Sequence, residues 1–272
     1  MNENVVRSLS GIVYIFLLIF ATLFSRESFL ILFGLFLLQT VSEFSALIQL
    51  PKIASLLVSG VLYLLFGVFF SNQWSTDLGL LLASIFVCGQ LLLWLFSKVS
   101  KPIVTSTEKW VKLIGYIVLP FVFISKIPML SNQFIPSIII GIFILIWTND
   151  TFAYLVGKSI GKNKLFERIS PKKTIEGFVG GLVFAIIVAF LLSKSTTFGS
   201  FFSSKYWIPI AIIASIFGTI GDLIESKFKR IAGVKDSGTI MPGHGGIYDR
   251  LDSIIFVAPF VFLFLKIISY VS

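Results

Sequence analysis

Apolar residues in this chain come in long blocks, separated by short polar connectors. A helix needs about 20 consecutive apolar residues to cross roughly 30 Å of hydrocarbon. The pattern therefore predicts an all-α polytopic integral membrane protein with about nine spans: Gly11–Phe24, Phe29–Gln49, Ile53–Phe70, Leu78–Ser97, Trp110–Ile124, Phe134–Val156, Thr174–Leu192, Trp207–Glu225 and Tyr248–Tyr270. A β-barrel would alternate over about ten residues per strand, and runs such as GVLYLLFGVFF do not alternate. Pro120 inside the fifth span predicts a kink, tolerated where neighbouring helices re-satisfy the backbone. Trp74, in the polar connector SNQWSTD, suits the aromatic belt of a membrane interface.

Composition agrees with that reading. Of 272 residues, 56% are hydrophobic and 13% charged, against about 25% charged in a soluble domain. The single cysteine, Cys88, excludes an internal disulfide and reads as a small buried hydrophobe. The net charge of +9 points to membrane flanks rather than nucleic acid. Sixteen cations fall on one set of connectors: Arg7, Lys52, the three lysines of 98–109, the six cations of 157–173 and the five of 227–250. The opposite set holds Arg26, Lys126, Lys194 and Lys205. By the positive-inside rule the amino terminus and both long polar loops are expected in the cytoplasm, as in a multi-pass plasma-membrane protein. Residues 1–133 are expected to form a scaffold and 134–272 the catalytic region.

Chemistry concentrates between Gly221 and Asp252, which hold five Asp or Glu, five Lys or Arg, the only histidine and six glycines. Asp222 and Glu225 stand three apart at one helix end, Asp249 and Asp252 three apart at the next helix start, so each pair shares a face. Two readings fit these carboxylates: a site for Mg²⁺, which takes hard oxygen ligands, or a salt-bridged rim paired with Lys227, Lys229, Arg230 and Arg250. In MPGHGGIYDR, glycines just before a helix start suit phosphate or a tight turn. His244 alone could be an acid, a hydrogen-bond donor or a fold element, and cannot build a zinc site. Upstream, SPKKTIEGFVGG sets Lys172 and Lys173 before a helix whose Thr174, Glu176, Gly177, Gly180 and Gly181 suit close approach by another helix or a ligand. Asp150, in WTNDT, and Glu43 are carboxylates within spans, hence candidates for the site; Glu43 lies near its helix end, where a structural role also fits.

The run SKFKRIAGVKDSGTIMPGHGGIYDRLD, Ser226 to Asp252, resembles the signature of the phosphatidate cytidylyltransferase (CDP-diacylglycerol synthase) family. The S-x-F-K-R, K-D, P-G-H-G-G and D-R-L-D elements stand in order, with Met241 where another apolar residue is usual. GDLIES, NDTFAYLVGK and SPKKTIEG extend the resemblance back to Trp147, and SEF around Glu43 agrees weakly. The resemblance implies transfer of CMP from CTP to phosphatidate, a Mg²⁺ requirement with a second cation position, and a homodimer. It places Asp222 and Asp249 as main metal ligands, and Lys172, Lys173, Lys229, Arg230, Lys235 and His244 at phosphates. Asp252, Glu225 and Asp150 are expected around the metal site, with Thr174, Ser226, Gly245, Gly246 and Arg250 near substrate. A CTP-dependent lipid kinase and a cation transporter are the competing expectations.

Overall fold

The computed structural model describes residues 3–69, 74–97, 105–200, 202–243 and 245–271. Among the described residues, eight helical stretches are long and apolar enough to cross a bilayer: Arg26–Ile48, Lys52–Phe69, Trp74–Phe96, Ser106–Met129, Pro136–Ile160, Ile175–Lys194, Ser204–Ile231 and Tyr248–Tyr270. The first helix, α1 (Glu3–Phe24), is long enough, but its apolar part spans only Leu9–Phe24 because its opening turns are polar. A serine capping box at Ser25 starts α2 (Arg26–Ile48) immediately after α1, and Ser28 Oγ donates back to the Ala21 carbonyl. The two form a helical hairpin: Ser10 near the start of α1 and Glu43 near the end of α2 both reach the same distant loop.

Two helices pass through π-helical turns. The α3 helix (Lys52–Leu62) widens at Tyr63–Phe69. After α4 (Trp74–Phe96), α5 (Ser106–Lys112) widens at Leu113–Val118 before α6 (Leu119–Lys126). The second widening directly precedes Pro120, whose ring removes a backbone donor; the Leu119 N–H reaches Ile114, five residues back. The expected disturbance at Pro120 is thus a change of helical pitch.

The second half carries all the charged candidate residues except Glu43. The α7 helix (Pro136–Ile160) packs more extensively on α8 (Ile175–Lys194) than any other pair. Glycine permits this: a Cβ on Gly177 would sit 2.5 Å from the Ala153 carbonyl, and one on Gly181 would sit 2.6 Å from that of Asn149. Between them lies a short antiparallel hairpin, β1 (Lys164–Phe166) and β2 (Ser170–Thr174), where the sequence suggested only a loop. A four-residue turn, α9 (Thr196–Gly199), leads to α10 (Ser204–Ile231). That helix runs six residues past the expected end at Glu225, because Phe228 is buried and holds the otherwise polar last turns down. The final helix, α11 (Tyr248–Val271), returns alongside α10.

Beneath the loop between α10 and α11 the core is aromatic. Phe44, Tyr116, Phe228 and Tyr248 are buried and meet edge-on or stacked, with Phe44 and Phe228 centroids 5.0 Å apart. The Tyr116 and Tyr248 hydroxyls hydrogen-bond at 3.0 Å, so the phenols satisfy each other where water cannot.

Candidate active site

Two charged clusters share the polar end of this bundle. The first is made where α10 and α11 approach closely: a Cβ at Gly221 would lie 2.7 Å from the Asp252 carbonyl. Carboxylate oxygens of Asp222, Glu225 and Asp252 lie within 4.8 Å of one another. Lys173, from β2, pairs with Asp222 at 2.5 Å, and Ser226 Oγ donates to Asp222 at 3.3 Å. Burial pulls the Lys173 ammonium down, but Asp222, Asp150 and Asp252 outweigh it and hold the group above the usual lysine range. Asp150 projects from α7 and accepts from Asn149 Nδ2 at 3.3 Å.

The second cluster organises the loop. Asp249 Oδ2 accepts from the backbone of Gly246 (2.7 Å) and of Ser237 (2.9 Å), and lies 2.8 Å from Ser237 Oγ. Its Oδ1 accepts from Lys229 at 2.7 Å. Lys229 also pairs with Glu225 at 2.6 Å, which joins the two clusters. The sequence pairs Asp249 with Asp252 by spacing; the structure gives Asp249 to the loop and sets Asp222, Glu225 and Asp252 face to face.

Glu43 forms the floor of this second cluster from α2, on the far side of the sequence. Its carboxylate accepts from the backbone of Ile247 (3.1 Å) and Tyr248 (2.9 Å), from Gln39 Nε2 (2.8 Å), and lies 2.9 Å from Ser237 Oγ. An acidic group on the first N–H groups of α11 satisfies orphan donors and complements the helix dipole. This contact set gives Glu43 a structural part, holding the backbone of the loop between α10 and α11. Ser237 shares its single hydroxyl proton between Glu43 and Asp249. Neither that link nor the bond from Ser10 Oγ to the Pro242 carbonyl (3.0 Å) has a signal in the sequence.

Glycine is required at two loop positions. Gly245 has φ +81° and closes a turn in which the Met241 N–H meets its carbonyl at 2.9 Å. At Gly246 any Cβ would collide with the Glu43 carboxylate. Thr174 caps α8, its Oγ1 accepting from Gly177 at 3.1 Å, and so ends the hairpin that delivers Lys173. Lys172, its neighbour on the strand, is exposed, as are Arg230, Lys235 and Arg250. Arg230 donates to the Val234 carbonyl; Lys172, Lys235 and Arg250 have no ion-pair partner among the described residues. His244 lies outside the described residues. The Tyr14 hydroxyl of α1, buried without a hydrogen-bond partner among the described residues, stands within electrostatic reach of Arg250 and Asp252.

The arrangement is a cluster of hard oxygen donors ringed by cations, some paired and some exposed. Such a set suits a divalent cation together with a polyanion. Among relatives, a phosphatidate cytidylyltransferase of Bacillus subtilis is 48% identical over 126 residues, 46% of each chain. One from Staphylococcus haemolyticus is 52% identical over 119 residues, 43% of this chain and 44% of the relative. The matches therefore span under half the length of these relatives. The sequence profile of the cytidylyltransferase family matches residues 5–268. With that match running from α1 through α11, the chain belongs to the cytidylyltransferase family.

Proposed function

We infer that this chain transfers the CMP moiety of CTP to phosphatidate, giving CDP-diacylglycerol and pyrophosphate. The observation that carries the reading is the facing of Asp222, Glu225 and Asp252 beside Lys173 and Lys229 at the polar end of a membrane bundle. Phosphatidate presents an anionic head at that level, and CTP is a water-borne polyanion. A phosphate oxygen of the lipid attacks the α-phosphorus of CTP, a new P–O bond forms, and the bond to pyrophosphate breaks. No protein nucleophile is needed, so positioning and charge neutralisation supply the rate.

The three facing carboxylates fit Mg²⁺, since they are oxygen donors in excess of the ammonium groups that touch them. When bound there, the ion would polarise the α-phosphate and steady the leaving pyrophosphate. Lys173 stays charged at neutral pH and faces the same space. The exposed Lys172, Arg230, Lys235 and Arg250 offer further charge to phosphates. Asp249 and Glu43 act through the loop, fixing its backbone rather than meeting substrate. The same reading includes a plasma-membrane location with the loop facing the cytoplasm, a second cation, and a homodimer, which light scattering in detergent would measure.

The decisive experiment is pyrophosphate release by purified protein in phosphatidate micelles, with CTP or ATP, with and without Mg²⁺, beside Asp222→Asn and Asp252→Asn. Turnover should need CTP, phosphatidate and Mg²⁺ together and fall by about 100-fold or more in either variant, the scale of losing one transition-state charge contact. Production of CDP and a phosphorylated lipid alcohol instead would replace the reading with a lipid kinase. No CTP turnover by folded protein would overturn it.

A further inference from the structure

A second charged cluster lies at the opposite end of the bundle. Lys126 of α6 and Lys266 of α11 converge on one carboxylate, Asp77 of α4. Lys126 meets Asp77 Oδ1, and Lys266 lies 3.1 Å from Oδ2. The Asp77 and Lys126 side chains are each 2% exposed, that of Lys266 19%. Lys266 is 17 residues beyond Asp249 on the same helix, which puts it about 26 Å along the axis from the catalytic loop. This cluster serves the other face of the membrane and has no part in the proposed reaction.

Of the two ammonium groups that meet Asp77, that of Lys266 is the one that reaches the surface. Beside it, α4 and α11 leave a groove of about 240 Å³ lined by Trp74, Leu78, Leu81, Phe262, Leu263 and Ile267 as well as by Asp77 and Lys266. The Trp74 and Tyr270 rings stack at its outer end, 6.1 Å between centroids. Lys266 lies against the Trp74 and Phe262 rings, at 5.7 and 5.2 Å. Tryptophan and tyrosine sit at headgroup level in membrane proteins, and lysine reaches outward to that level.

We propose that this groove binds one anionic phospholipid of the leaflet opposite the catalytic loop, its phosphate at Lys266 and a stretch of one acyl chain between α4 and α11. The lipid phosphate meets the exposed side of the Lys266 ammonium, and the groove is too small for more than part of a lipid. Because Lys126 keeps Asp77 paired, the cluster survives the loss of Lys266.

The test uses delipidated full-length protein in detergent, titrated with dioleoyl-phosphatidylglycerol or dioleoyl-phosphatidylcholine. Retained lipid is read by native mass spectrometry and the thermal midpoint in parallel. Wild type should retain the anionic lipid about fivefold better, the factor expected for one lysine at an anionic lipid. Lys266→Met should abolish that preference, Lys266→Arg should keep it, and Lys205→Met, an exposed cation elsewhere, should leave it unchanged. Leu78→Trp fills the groove from the apolar side and should reduce retention of both lipids. Equal retention of the two lipids by wild type, or a preference surviving in Lys266→Met, overturns the phosphate site. Undiminished retention in Leu78→Trp overturns the placement of the chain.

Discussion

Glu43 is the residue on which the loop turns. Its carboxylate takes two backbone N–H groups of the loop–α11 junction, and Gly246 is held so close that no side chain fits. Glu43→Gln places an NH₂ group against those donors and leaves one unsatisfied, at about 1–3 kcal/mol. We expect roughly a tenfold or greater loss of CTP-dependent pyrophosphate release, carried in kcat more than in KM, and a lower thermal midpoint. Glu43→Asp should recover part of the activity. Gly246→Ala should do at least as much damage, and circular dichroism should show the helices retained. The carboxylates between Asp222 and Asp252 were legible in the sequence because charge stands out in an oily chain. Their partition was not: Asp249 and Asp252 are alike by spacing, and only the fold turns one to the loop backbone and the other to Asp222 and Glu225.

At the scale of elements, the apolar runs located nearly every helix because membrane-crossing length is a demand on sequence alone. Their ends were less legible. The tail of α10 reads as loop from composition, yet Phe228 is buried and keeps the helix going, so that Lys229 falls one turn beyond Glu225 and joins the two clusters. The β1–β2 hairpin is too short and too polar to announce itself, although it sets Lys173 on Asp222 and leaves Lys172 exposed. The crossing of α7 and α8 rests on glycine. Gly177→Val must move the helix by its contact with the Ala153 carbonyl, and such overpacking costs about 1–3 kcal/mol. Thermal unfolding in detergent should show that loss, and turnover should fall with it because Thr174 and Lys173 lie at the same crossing.

For the molecule as a whole, the hairpin of α1 and α2 places the start of α1 at the level of the loop, while α10 begins at the opposite end. Cys88 is buried at 1% exposure, so introduced cysteines report cleanly. In intact cells of a bacterial host, Thr239→Cys in the loop should resist a membrane-impermeant maleimide, and Ser203→Cys at the start of α10 should react. The reverse pattern would invert the assigned orientation. Chelation of divalent ions should abolish turnover, and added Mg²⁺ should restore it, with the helical content unchanged throughout.

The bond from Glu43 to Tyr248 also has a temporal side. Its partners are 205 residues apart in the chain, and a ribosome adding 5–20 residues per second needs roughly 10–40 s to make that length. Throughout that interval an acidic side chain waits in or near the membrane without the amides that later hold it. The loop cannot take its final form until the start of α11 has been made and has reached the membrane. Nascent chains should therefore gain protease resistance at the loop in a single late step, after Tyr248 has left the ribosomal tunnel, rather than gradually as each span is added.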